Sequence, residues 1–438
     1  MSEPIVPIAQ GIRGDKPSRR HRHRRTPRVG RRGRTAAALL TLAALGVAVS
    51  VPQAVVTGRH IASPVRPVGS VAASGWREAI RVVTTAVVPG AAPVLRWPEA
   101  GQAAVAVRGV GIVGRSPAER PVPIASLTKM MTAYVVLHDH PLKPGESGPD
   151  IRVTRFDVAT FGAEEMAGDS TVKVVAGEIL SERQLLEALL IPSGDNIAVM
   201  LADWDAGSVW RFVAKMNATA RSLRLASTHY ADVSGVDPAS VSTAADQARL
   251  ASDLMGSAVI RGIVRRADLP FPVVRSIWNA NPAIGVDGIQ GVKSGWTLEA
   301  KGCLVTAAFR TLHHQGVLVV SAALGQPDGL WGAAQVDEAL LDATTDGLVA
   351  YRVVAPGATV VTIALRHGNA SVSLVAPRRA SFVVVWHGLR LTERVSTRTG
   401  VSPTDLAGEP AGSDVGSLSV VAPWGVVAEL PLLLVVTP

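Results

Sequence analysis

Apolar residues alternate with small ones through AAVAVRGVGIVG, residues 103 to 114, and this pattern predicts a strand followed by a polar turn at Ser116 to Glu119. The long central region reads as helical. Its clearest helix starts at the capping box Ser181-Glu182-Arg183-Gln184, runs through LLEALLI and stops at Pro192. From Gly288 the period changes to that of strands, in GIQGVKSGWT, KGCLVTAAF and VLVVSAALG, with a turn near His313-His314-Gln315-Gly316. Residues 330 to 350 return to helix. After Tyr351 come β-branched runs divided by Pro and Gly (ATVVTIAL, ASVSLVA, SFVVVWHG, GSLSVVAPWGVVAELPLLLVV), which predict a small all-β unit with a boundary near 350. Val-Ala-Pro recurs at 354, 375 and 421, too sparse an echo to define a repeat.

The N-terminus follows different rules. Thr35 to Val56 carries no charge and approaches the roughly 20 residues that cross a bilayer. Residues 1 to 34 hold ten Arg and one Lys against Glu3 and Asp15, a surplus of 11 − 2 = +9 that equals the net charge of the whole chain. The folded part is therefore neutral, and the basicity belongs to a tail suited to anionic lipid headgroups rather than nucleic acid. The organisation expected is a basic cytoplasmic tail (1–34), a transmembrane signal anchor (35–56), a Pro/Gly/Ala/Ser linker (57–74), a catalytic domain (75–350) and an all-β domain (351–438) outside the cytoplasm. A cleavable signal peptide is the alternative to the anchor, with Ala36 to Val49 as its apolar region; Val51-Pro52 makes the site after Ser50 a poor one.

The single cysteine, Cys303, excludes an internal disulfide and sits in an apolar run as a small core residue. His313-His314 has no third ligand near it, so a solvated turn is favoured over a metal site.

Three short segments carry candidate chemistry. Ser126-Leu127-Thr128-Lys129 places a hydroxyl and an amine on one helical face just after Pro121-Val122-Pro123, where free N–H groups at a helix start can stabilise negative charge. Apolar Met130, Met131 and Val135 predict burial of that helix, and a desolvated Lys can act as base toward the hydroxyl. By itself the spacing is equally that of a snorkelling Lys. Ser193-Gly194-Asp195-Asn196 follows LLIP and reads alone as a cap turn. Gly291-Val292-Lys293-Ser294-Gly295-Trp296-Thr297 lies in a strand whose glycine leaves room for close approach of another backbone or a ligand.

In this order the segments match the set Ser-x-x-Lys, Ser/Asn element and Lys-Thr-Gly of serine-lysine acyl-transfer enzymes. The chain resembles the penicillin-binding D-alanyl-D-alanine carboxypeptidases over about residues 100 to 350, including LLEALLIPSGDNIAVMLADW and DVSGVDPASVSTAADQARLA. The resemblance implies an α+β fold, a serine β-lactamase/penicillin-binding-protein-like catalytic domain of a helical cluster and an antiparallel sheet, followed by a small all-β domain. It implies Ser126 as nucleophile, Lys129 as base and Ser193 as proton relay. Asp195, Asn196, Lys293, Ser294, Gly295 and Trp296 would be substrate-binding, with Lys293 and Ser294 on the substrate carboxylate and the N–H groups of Ser126 and Trp296 as oxyanion hole. The implied partners are the peptidoglycan stem peptide, β-lactams as covalent inhibitors and the cytoplasmic membrane; no metal or cofactor is called for.

The pattern departs from the family in three places. Asp195 stands where relatives usually carry Asn, and a carboxylate beside Lys129 would favour the ammonium and weaken the base; Asn196 could substitute through a one-residue shift of the turn. Ser294 replaces the commoner Thr. LGQPDGLWG, residues 324 to 332, lacks the Arg that many relatives use to hold the carboxylate. A class A β-lactamase would need a deacylating Glu between the second and third motifs, and there is none between Glu187 and Glu299. The alternative from another class is a catalytically weak wall-peptide-binding or scaffold module of the same fold.

Overall fold

The computed structural model describes residues 70–72, 81–312, 315–364, 371–397, 406, 408–423 and 425–437. The expected basic tail and membrane segment, and His313-His314, lie outside the described residues. No helix among the described residues is long and apolar enough to cross a membrane.

A five-stranded antiparallel sheet carries the catalytic part, in the order Ile289–Thr297, Lys301–Leu312, Gln315–Gln326, Gln102–Val107, Gly111–Arg115. The single strand expected over 103–114 is a hairpin, because Gly109 and Gly111 take the positive φ that a tight reversal at Arg108 to Val110 requires. On one face lie the helices α1 (Thr128–Asp139), α2 (Arg155–Ala167), α3 (Glu182–Leu190), α4 (Asp195–Ala206), α5 (Val209–Ser222), α6 (Ala244–Leu254) and α7 (Ala258–Val264); α8 (Gly329–Gly347) packs on the other with Leu304, Ala308 and Val319. The capping box of α3 is present as read: Ser181 Oγ accepts from Gln184 N, and the Gln184 side chain accepts from Ser181 N.

The C-terminal region is β-rich, with the seven-stranded sheet order Ser70–Ala72, Thr359–Ala364, Ser371–Val375, Gly425–Thr437, Asp414–Ala422, Arg390–Thr397, Arg81–Val87. Here the structure corrects the expected start of the catalytic domain at residue 75. Arg81–Val87 pairs with Arg390–Thr397, and Val82 packs on the C-terminal core rather than the catalytic one. At the other boundary, Leu348–Val354 serves both cores by alternation. Leu348 and Ala350 face the cluster under α8, while Val349, Tyr351 and Val353 face the C-terminal one.

Candidate active site

Ser126 lies in a 3-10 turn, Ala125–Leu127, that leads directly into α1, so the helix start read from the prolines is where it was expected. Ala125 is held at φ 47°, a strained conformation that closely packed neighbours must enforce. Gly235 is one of them: a Cβ built on it would lie 1.8 Å from Ala125 O, and its own φ is 90°. Gly295 is another, since a Cβ there would sit 2.8 Å from Ser126 N and 3.1 Å from Ala125 Cβ. The close approach inferred from the strand glycine is thus to the backbone of Ser126.

Lys129 is fully buried on the next turn. An unpaired ammonium in that position would cost several kcal/mol, so its donors have to be satisfied. They are: Nζ donates to Ser126 Oγ at 2.8 Å, Asp195 Oδ1 at 2.5 Å and the Ser234 carbonyl at 2.9 Å. Three donors meet three acceptors, and none remains for Ser193. The Ser193 hydroxyl is buried, lines the cleft and has no hydrogen-bond partner.

Asp195 is clamped from its other side by Ser170, whose N–H donates to Oδ2 at 3.0 Å and whose carbonyl accepts from Asp195 N at 2.7 Å. Asn196 does not take over the role of an active-site amide. It is fully buried, with Nδ2 donating to Val172 O at 2.8 Å and Oδ1 accepting from Val172 N at 2.9 Å. The turn keeps its register, and Asn196 serves as a backbone clasp because it already lies inside α4, one residue past the position that faces Lys129.

The strand Ile289–Thr297 forms the opposite wall. Ser294, Gly295, Trp296 and Thr297 line a cleft of about 520 Å³ together with Ser126, Ser193 and Asp195. Lys293 does not reach that lining. It is buried, and its Nζ donates to the Ser294 carbonyl at 2.8 Å. Burial, reinforced by the charge of Lys129 and opposed by Asp195, pushes its ammonium well below the usual lysine range.

Other residues of the site's surroundings lie outside the three short motifs. Asp232 braces the turn that presents the Ser234 carbonyl: its carboxylate accepts from Gly235 N at 2.8 Å, Val236 N at 2.9 Å, Ser234 Oγ at 3.0 Å and Ser240 Oγ at 2.5 Å. Glu164, on α2, has one carboxylate oxygen buried without a partner. Burial, then Asp195 and Asp169, raise it to about 7 against the pull of Lys129. Cys303 is a core residue, its thiol pushed up to about 12 by burial.

A helical cluster on an antiparallel sheet, with a serine and a lysine in contact at a helix start and a Lys-Ser-Gly strand opposite, is the fold of the penicillin-binding proteins and serine β-lactamases. The D-alanyl-D-alanine carboxypeptidase family model matches residues 107–326, and the chain belongs to that family of serine peptidases. It is 30% identical over 217 residues to D-alanyl-D-alanine carboxypeptidase DacC of Escherichia coli (strain K12), covering 45% of this chain and 50% of that one. The match therefore spans half the length of that relative. Among solved structures, penicillin binding protein 6B from Escherichia coli superposes with a TM-score of 0.57 at 21% identity, over 79% of this chain and 99% of that one. The Streptomyces K15 DD-transpeptidase does so with a TM-score of 0.51 at 25% identity, over 57% and 98%.

Proposed function

We propose that the protein is a membrane-anchored serine D-alanyl-D-alanine carboxypeptidase that cleaves the terminal D-alanyl amide of peptidoglycan stem peptides through an acyl-enzyme on Ser126. The observation that carries this reading is the 2.8 Å contact between Lys129 Nζ and Ser126 Oγ at the floor of a cleft. Lys129, as the free amine, takes the Ser126 proton while Oγ bonds to the carbonyl carbon of the penultimate D-Ala. The oxyanion lies against the Ser126 N–H at the helix start and that of Trp296 on the facing strand. The C–N bond then breaks, its electron pair staying on nitrogen, which takes a proton relayed through the unpartnered Ser193 hydroxyl. Water adds to the ester carbon, gives its proton back through Lys129 and restores the Ser126 hydroxyl. β-Lactams would acylate the same oxygen.

The N-terminal basic run and the apolar span Thr35 to Val56 support an anchor that leaves the catalytic part outside the cytoplasm. Deleting residues 1 to 56 should move the protein from the membrane to the soluble fraction; retention in the membrane would refute the anchor. For the activity, full-length protein should release D-Ala from a pentapeptide and Ser126→Ala should not. The Lys129 to Asp195 contact favours one second reading, a weakly catalytic wall-peptide-binding module, and covalent penicillin labelling without D-Ala release would select it.

A further inference from the structure

A second cavity, of about 380 Å³, lies away from the catalytic cleft but is built on the same two helices. α4 starts in the cleft with Asp195 and carries Met200, Asp203 and Trp204 to the cavity, while α2 begins at the cavity with Phe156 and Asp157 and ends on the cleft at Ala167. At about 1.5 Å per residue the two sites stand roughly 12–15 Å apart along these helices. The wall of the cavity is specific. Asp157 is only 7% exposed; its Oδ2 takes both donors of Thr154, N at 2.7 Å and Oγ1 at 2.7 Å, and among the described residues no donor meets Oδ1. Asp203 stands close enough for the two carboxylates to repel: burial and then the charge of Asp157 raise it above the usual range, against one hydrogen bond from the Val209 N–H. Arg152, the one basic residue of the described lining, donates to the Gly177 carbonyl at 3.2 Å and pairs with neither carboxylate. The rest of the wall is aromatic and apolar: the Trp204 indole, braced by the His140 ring at 4.1 Å between centroids, buried Met200 and the exposed ring of Phe156.

Two carboxylates beside an indole attract a cation, and an acceptor oxygen without a donor asks that the cation carry N–H groups. The apolar wall takes a hydrocarbon stem. We propose that this cavity binds the primary ammonium of an alkylamine, its N–H groups donating to Asp157 and Asp203 and its stem lying along Trp204, Phe156 and Met200. The site is separate from the chemistry at Ser126 and does not depend on it.

The test is a titration of full-length protein, in an uncharged detergent, with three probes followed by saturation-transfer NMR of the ligand signals. n-Butylammonium should bind about tenfold more tightly than n-butanol, which lacks the charge, and than tetramethylammonium, which lacks the donors. Asp203→Asn and Trp204→Leu should each weaken n-butylammonium binding by about tenfold, the first by removing one charge of the pair and the second by removing the indole face. Thermal melts of both variants separate lost binding from lost folding, and Asp203→Asn, a near-isosteric change at a partly exposed position, should keep the wild-type midpoint. Equal affinity for the amine and the alcohol, or amine binding that both variants leave unchanged, would overturn the site. Tetramethylammonium bound as tightly as n-butylammonium would overturn the assignment of a primary ammonium.

Discussion

Lys129 Nζ and Asp195 Oδ1 lie 2.5 Å apart in a buried contact, and the same ammonium touches Ser126 Oγ at 2.8 Å. One lysine is therefore shared between a carboxylate and the hydroxyl that the proposed mechanism has it deprotonate. Replacing Asp195 by Asn keeps an acceptor oxygen and removes the carboxylate charge that competes with Ser126 for Lys129. Asp195→Asn should acylate with penicillin about tenfold faster. Time courses of fluorescent penicillin labelling read this out; slower labelling of the variant would show that the carboxylate assists the base instead.

Gly295 separates the strand from the Ser126 backbone by less than a side chain. A Cβ 2.8 Å from Ser126 N has to push one of them aside, and a displacement of about 1 Å at a reacting centre costs roughly 100-fold. Gly295→Ala should lower the acylation rate by about that factor while shifting the thermal midpoint little.

Asp232 touches no reacting atom, yet its carboxylate gathers Gly235 N, Val236 N and two hydroxyls into the turn that holds Lys129 through the Ser234 carbonyl. Its loss leaves several donors without a partner, at about 1–3 kcal/mol each where they are buried. Asp232→Ala should lower both stability and kcat, and Asp232→Asn should restore more of the stability than of the rate. Thermal melts set beside single-turnover acylation distinguish this from a purely structural role, in which both would recover together.

Of the fold, the elements with a clean period were legible in the sequence, and those shaped by a distant partner were not. The α3 capping box and the strands around Lys293 followed from local pattern. The strand Arg390–Thr397 did not, because Arg390, Glu393 and Arg394 break its apolar run; Glu393 is nevertheless buried and accepts from Thr84 Oγ1 at 3.1 Å on the strand beside it. At the site, motif order brought Ser126, Ser193 and Ser294 to one cleft, with Lys129 buried behind Ser126. It could not show that Asn196 clasps Val172 or that Lys293 turns to a backbone carbonyl, because both depend on which neighbour completes each hydrogen bond.

Glu182 opens α3 with both carboxylate oxygens buried and unpartnered, and burial raises it from 4.5 to about 7. The folded state thus holds this proton more tightly than the unfolded chain. The stability contributed is complete below pH ~4.5 and is lost as pH rises through about 7. Glu182→Gln should match the wild type near pH 4.5 and exceed it by about 1–2 kcal/mol at pH 8, after allowance for solvent screening. Denaturant titrations at the two pH values measure the difference.

Intact-protein mass spectrometry of the full-length chain after incubation with a penicillin bears most directly on the nucleophile. The expected result is one added penicillin mass, mapped to the peptide that contains Ser126 and absent from Ser126→Ala. An unmodified wild-type chain, or an adduct that persists in Ser126→Ala, would contradict the assignment of Ser126.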